Sequence, residues 1–285
     1  MEETHIKEES NRLYEFSHLF NAEPLTQREI DFITQSRILI PNCGDSVRVT
    51  GKTITLNELF TQSVSNLSLF QEPKLSTRVI SSLQEKPLRK YPTIRTFATN
   101  ITYTYNPDKK SMSPKGIVDH MKIPSVYGEE SPILLTHEFI HILKDTNIKE
   151  YSLIFKYSEI IPLLYEIIEY NKKEPSTRTS LIRNRYIEIR QEISTLIQTI
   201  QLINKDPYNK DKYLYVLSQA GKYILNLYYA LLLYDIYLTN PDTIINEINR
   251  VFNHEITTQE LLMNLGIYND LDYNTYKESI RQHLI

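Results

Sequence analysis

The stretch SPILLTHEFIHILKD, residues 131–145, decides how this chain is read. Ser131 suits a helix N-cap and Pro132 the first helical position, where its missing N–H costs nothing. Leu134, Leu135, Phe139, Ile140 and Ile142 can pack the helix into a core. His137 and His141 are four residues apart, so their imidazoles project from one face, one above the other. Two nitrogens so placed can take one Zn2+ at about 2.0–2.1 Å. Glu138 is one residue on from His137 and leans to the side of the metal. There it can accept a proton from water polarised by the ion, ready for attack on a carbonyl. The competing reading is two satisfied histidines on a half-buried helix.

A catalytic zinc takes three protein ligands and keeps a fourth position open. No third histidine follows shortly after His141, so the metzincin pattern is absent. The next apolar segment, KYSEIIPLLYEIIEY (156–170), carries Glu159 and Glu166, seven residues apart and so on one helical face. Glu159 stands 18 residues past His141, and a helix-borne glutamate there suits a His₂Glu site. One carboxylate can bind zinc while the other accepts a hydrogen bond from a ligand imidazole and fixes its tautomer. Glu159 is the favoured ligand and Glu166 the alternative. Pro162, lying between them, should kink the helix or mark its first turn.

Outward from these segments the composition narrows the class. The chain has 285 residues, 41% of them hydrophobic, enough for one core or for two lobes around a cleft. A net charge of −3 leaves no basic nucleic-acid footprint. The lone Cys43 cannot form an internal disulfide, which suits a reducing compartment. MEETHIKEES, residues 1–10, carries no secretory signal, and Tyr223 to Leu238 is too short and too polar for a span. A cytoplasmic chain that binds neither membrane nor nucleic acid is expected. Six glycines, with neither GxxxxGK[ST] nor GxGxxG, argue against phosphate-binding loops.

Helices are expected over residues 5–20, 27–36 (N-capped by Thr26), 55–62 and 75–85, with an irregular segment or small hairpin over 37–54. Thr96 to Tyr105, TFATNITYTY, alternates as a strand. Asn106-Pro107-Asp108 signals a turn, and Lys115 to Ile123 is expected as the returning strand of a small antiparallel sheet. Beyond Ser131 nearly everything reads as helix: 132–146, 151–173, 178–204, 211–239, 241–252, 257–264 and 273–284. The organisation expected is a single catalytic unit over 1–285, with an N-terminal helical region (1–95) and a catalytic region (96–285).

Three stretches resemble the oligoendopeptidase F and thimet oligopeptidase family of zinc peptidases. LLTHEFIH resembles the family's catalytic helix, and SEIIPLLYE its third-ligand helix. AGKYILNLYYALLLYDIYLTNPDTIINEINRVF, followed by TTQELLMNLGI, resembles its C-terminal run of helices rich in tyrosine and leucine. The resemblance implies a mainly α, gluzincin-like fold with Zn2+ on His137, His141 and Glu159, Glu166 in support, and Glu138 as general base. It implies hydrolysis of peptide bonds in oligopeptides and a tyrosine near the C-terminus that polarises the scissile carbonyl. Tyr213, Tyr215, Tyr223 and Tyr228 are the candidates, with Tyr223 favoured. The chain departs from the family at Ile140, where glycine is usual, and at Lys144, where histidine is usual. It is also shorter before the motif, so a deep channel would be truncated or open.

The expected function is therefore a zinc metallopeptidase acting on a peptide or protein, whose substrate backbone lies along the 96–123 sheet as an added strand. His120 lies on that sheet and is a candidate substrate contact. The alternatives are a dedicated protease with one protein target and a non-catalytic protein that keeps the fold and the metal. His5, His18, His254 and His283 have no metal-like spacing, and nothing in the sequence specifies an oligomeric state.

Overall fold

The computed structural model describes residues 26–36, 56–85, 101–106, 111–117, 131–144, 157–175, 178 and 210–284. The described residues are mainly helical: α1 (Gln27–Ser36), α2 (Leu56–Asn66), α3 (Leu75–Glu85), α4 (Ser131–Lys144), α5 (Ile160–Asn171), α6 (Lys210–Thr239), α7 (Pro241–Phe252), α8 (Thr258–Asn264) and α9 (Tyr273–His283). The expected helices over 5–20 and 178–204 and the segment 37–54 lie outside the described residues, Arg178 excepted, as do His5, His18, Cys43 and His120.

The chain divides into two compact units, each assembled from separated stretches. The first comprises Met1–Arg48, Tyr151–Thr239 and Thr258–Ile285, the second Val49–Glu150 and Asn240–Thr257.

In the first unit, α5 packs along α6, and α1 and α9 pack on α6 and on each other. α1 begins with a reciprocal capping box. Thr26 N–H and Oγ1 donate to Glu29 Oε2 at 2.7 and 2.9 Å, and Glu29 N–H donates to Thr26 Oγ1 at 3.3 Å. The α1–α6–α9 contact is an aromatic cluster, with Phe32 4.8 Å from Tyr228 and Tyr228 5.4 Å from Tyr276 between ring centroids. α6 is fully buried from Ile224 to Leu231 and emerges towards its C-terminus, where Leu238 is exposed. α8 ends on Gly266 at φ +72°, and Ile267 N–H returns to Leu262 C=O at 3.0 Å. That left-handed residue is the one a glycine accepts without strain.

The second unit sets α2, α3 and α7 against α4. α7 buries Ile244, Ile245, Ile248, Val251 and Phe252, a stripe at helical spacing. It starts where the sequence indicates: Asn240 accepts from Thr243 N–H at 3.3 Å, and Pro241 takes the first helical position. Phe252 meets Phe70 edge to face at 5.1 Å. β1 (Ile101–Asn106) pairs antiparallel with β2 (Ser111–Ile117). Thr102 faces Gly116 but Tyr103 faces Pro114, so Lys115 is an extra residue on β2. A bulge beside the proline suits a residue that cannot donate to the ladder.

Among the described residues no helix is long and apolar enough to cross a membrane.

Candidate metal centre

α4 is buried almost all round. Among its described side chains only Leu134, His141 and Lys144 are half-exposed, and with the buried His137 they occupy positions i, i+3, i+7 and i+10, one face of the helix. The rest of α4 is held by packing and by a polar seam. Phe139 meets Phe60 of α2 edge to face at 5.5 Å. Thr136 Oγ1 lies 2.9 Å from the Ser63 carbonyl and 2.6 Å from the Pro132 carbonyl, and Asn66 donates to the same hydroxyl at 3.3 Å. At the far end Arg78 of α3 donates to the Leu143 carbonyl at 3.4 Å and to the Phe252 carbonyl at 2.6 Å. One guanidinium thus ties the C-terminal ends of α4 and α7, where a cation is favoured.

This scaffold fixes the two histidines. The Nε2 atoms of His137 and His141 lie 3.1 Å apart, and the ring centroids 4.9 Å apart. Two nitrogens at about 2.0–2.1 Å from one tetrahedral ion sit about 3.3 Å from each other. The pair therefore fits a shared ion with little adjustment. His137 is 4% exposed and His141 half-buried, so the face opens towards His141. Glu138 is 7% exposed, about 100° round the helix from His137. Ile140 is fully buried, so its bulk is taken up by the core of this unit. Lys144 is half-buried on the face that carries both imidazoles.

Glu159 and Glu166 belong to the first unit. The sequence places Glu159 inside a helix over 151–173; among the described residues the helix begins at Ile160, and Glu159 is its N-cap. Pro162 sets this start. A proline deeper in the helix would clash with the carbonyl four residues earlier, whereas in the first turn its missing N–H leaves no bond unmade. Glu159 is half-buried, its side chain makes no cap hydrogen bond, and its carbonyl accepts from Leu163 N–H at 2.9 Å. Its main-chain N–H donates to Asn226 Oδ1 of α6 at 3.2 Å. Two residues earlier, the buried Tyr157 hydroxyl donates to Glu29 Oε1 at 3.0 Å. Burial, and then the charge of Glu29, hold that phenol protonated far above its ordinary range. Glu166 is buried, and Tyr170, one turn on, donates to its Oε2 at 3.3 Å.

The tyrosine candidates separate. Tyr228 is fully buried against Phe32, Tyr229 and Tyr276, and its hydroxyl accepts from Asp272 N–H at 3.2 Å. Burial pushes its pKa up to about 12. It is a core residue. Tyr223 is half-buried on α6, and the side chains of Tyr213 and Tyr215 lie outside the described residues. Sequence reasoning did not assign Asn226, Arg78, Thr136 or the Tyr157–Glu29 bond. Only Asn226 left a signal, as an amide in an otherwise apolar run.

Compared with known proteins, the chain matches no family model, no curated protein and no solved structure.

Proposed function

We propose that this chain is a zinc-dependent metallopeptidase of mainly helical, gluzincin-like fold, with His137, His141 and Glu159 as metal ligands and Glu138 as general base. The observation that carries the reading is the pair of imidazole nitrogens 3.1 Å apart on a helix whose other faces are buried. Further support comes from Glu159, a half-buried carboxylate at the start of α5 whose side chain makes no cap hydrogen bond. The choice of Glu159 over Glu166 is supported by the bond that Glu166 already accepts from Tyr170.

When bound, zinc supplies Lewis-acid polarisation of a carbonyl and of water. The residues of the chain then have separate tasks. Glu138 takes a proton from the attacking water at its carboxylate and passes it to the departing amine nitrogen. Its low exposure limits competing solvent. Glu159, at the N-cap of α5, offers its carboxylate as the third ligand. Tyr223 is the proposed donor to the developing oxyanion and His120 the proposed substrate contact. The substrate is a peptide or an extended segment of a protein.

A second reading, a metal-binding protein without catalysis, draws on Lys144, whose cation shares the imidazole face. Metal content and hydrolysis of a quenched peptide library, measured on wild type, Glu138→Gln and Glu159→Ala, test both readings. The peptidase reading expects one equivalent of zinc in wild type and Glu138→Gln, hydrolysis by wild type, and a fall of about 10²–10⁴-fold in Glu138→Gln. Equal hydrolysis by Glu138→Gln sinks the mechanism. One equivalent of zinc with no cleavage of any peptide or protein selects the second reading.

A further inference from the structure

Asn226 is out of place by composition. It is fully buried between Leu225 and Leu227, in a run that continues through Tyr228, Tyr229, Ala230 and Leu231, all buried. Asparagine is a weak helix former, and a buried amide is tolerated only where it is hydrogen-bonded. Its Oδ1 accepts from the main-chain N–H of Glu159 at 3.2 Å. That N–H stands at the N-cap of α5, where no earlier turn of the helix offers it an acceptor.

We propose that Asn226 is the positioning residue for Glu159, fixing the main chain of the metal ligand so that only its side-chain torsions remain to be ordered when the ion binds. This rests on the proposed ligand role of Glu159. Three features make the anchor effective. It acts on the ligand residue itself, one bond from the Cα that carries the carboxylate. It comes from the middle of a buried stretch of α6, which has little freedom to follow a displaced loop. The same short turn is pinned again two residues earlier by Tyr157 and Glu29. Glu159 is therefore held by tertiary hydrogen bonds, in contrast to a ligand carried within a continuous helix.

The test is titration of the full chain with Zn2+ and with Co2+, in wild type, Asn226→Leu, Asn226→Ser, Asn226→Asp, Glu159→Ala and Tyr229→Phe. Folding of each is checked by circular dichroism and thermal melting. Asn226→Leu removes the acceptor at similar volume, and Asn226→Ser is too short to reach. Both are expected to weaken Zn2+ binding by about 10–100-fold and to alter the Co2+ visible spectrum. Asn226→Asp keeps an oxygen at the same place and is expected to restore affinity and spectrum. Tyr229→Phe removes another α6 hydrogen bond, from Asn269 N–H, and is expected to change neither. If Asn226→Leu does not fold, the contrast between Asn226→Ser and Asn226→Asp decides. Full Zn2+ affinity with an unchanged Co2+ spectrum in a folded Leu or Ser variant, while Glu159→Ala is defective, overturns this proposal alone. A wild-type chain that takes up no Zn2+, or a Glu159→Ala chain that binds as wild type, overturns the ligand assignment as well.

Discussion

α4 and α5 are both buried helices that carry proposed ligands, yet they hold them by different means. On α4 the imidazoles are internal: helical periodicity sets them one turn apart on one face, and their nitrogens lie 3.1 Å apart. On α5 the carboxylate stands at the N-cap, where no periodicity applies and a bond to Asn226 sets the main chain. A ligand inside a helix is robust to distant changes, whereas a ligand at a helix start depends on the neighbours that pin it.

The largest effect expected from breaking this contrast is at His141. His141→Ala should abolish binding of Zn2+ at one equivalent, with the melt little changed because the residue is half-buried. Retention of a full equivalent would remove α4 from the metal centre. Next comes the packing that carries each helix. Phe139→Ala should cost about 3–5 kcal/mol and Leu164→Ala, on α5, about 2–5 kcal/mol, read by chemical denaturation. Losses well below these would show that the helices are not held as the burial indicates. Smaller again is Tyr170→Phe, which removes a donor to the buried Glu166 and should cost about 1.5–3 kcal/mol. It should leave Zn2+ affinity intact, unlike Glu159→Ala; an equal loss in both would place Glu166 in the metal site.

The smallest effect concerns pH. Asp272 caps α9, accepting from Thr275 Oγ1 at 2.6 Å and Thr275 N–H at 2.8 Å, and these bonds lower its pKa below 3.8. A carboxylate with a depressed folded pKa contributes stability that is present above its unfolded pKa and lost as pH falls through the folded one. The wild-type melt should therefore fall more than that of Asp272→Asn as the pH drops through and below the ordinary carboxylate range. Parallel melts would show that the cap contributes nothing.

Much of this was legible locally. The cap at Thr26 and the start of α7 at Pro241 each rest on a few adjacent residues. The helix start at Ile160 was half legible, because Pro162 is compatible with a kink or a first turn and only the packed structure selects the first turn. Tyr228 shows the limit in the other direction. Nothing adjacent distinguishes it from Tyr223, and only burial against Phe32 and Tyr276 places it in the core. Long-range bonds such as Arg78 to the ends of α4 and α7 leave no local pattern at all.

By itself the sequence determined that His137 and His141 share one helical face with Glu138 beside them, because the period of a helix is a property of the backbone. Tertiary structure decided which polar side chains serve as anchors, with Asn226 reaching the main chain of a residue 67 positions away. The physical reason is that a buried polar group must find a partner, and in a folded chain that partner is set by packing and not by distance along the sequence.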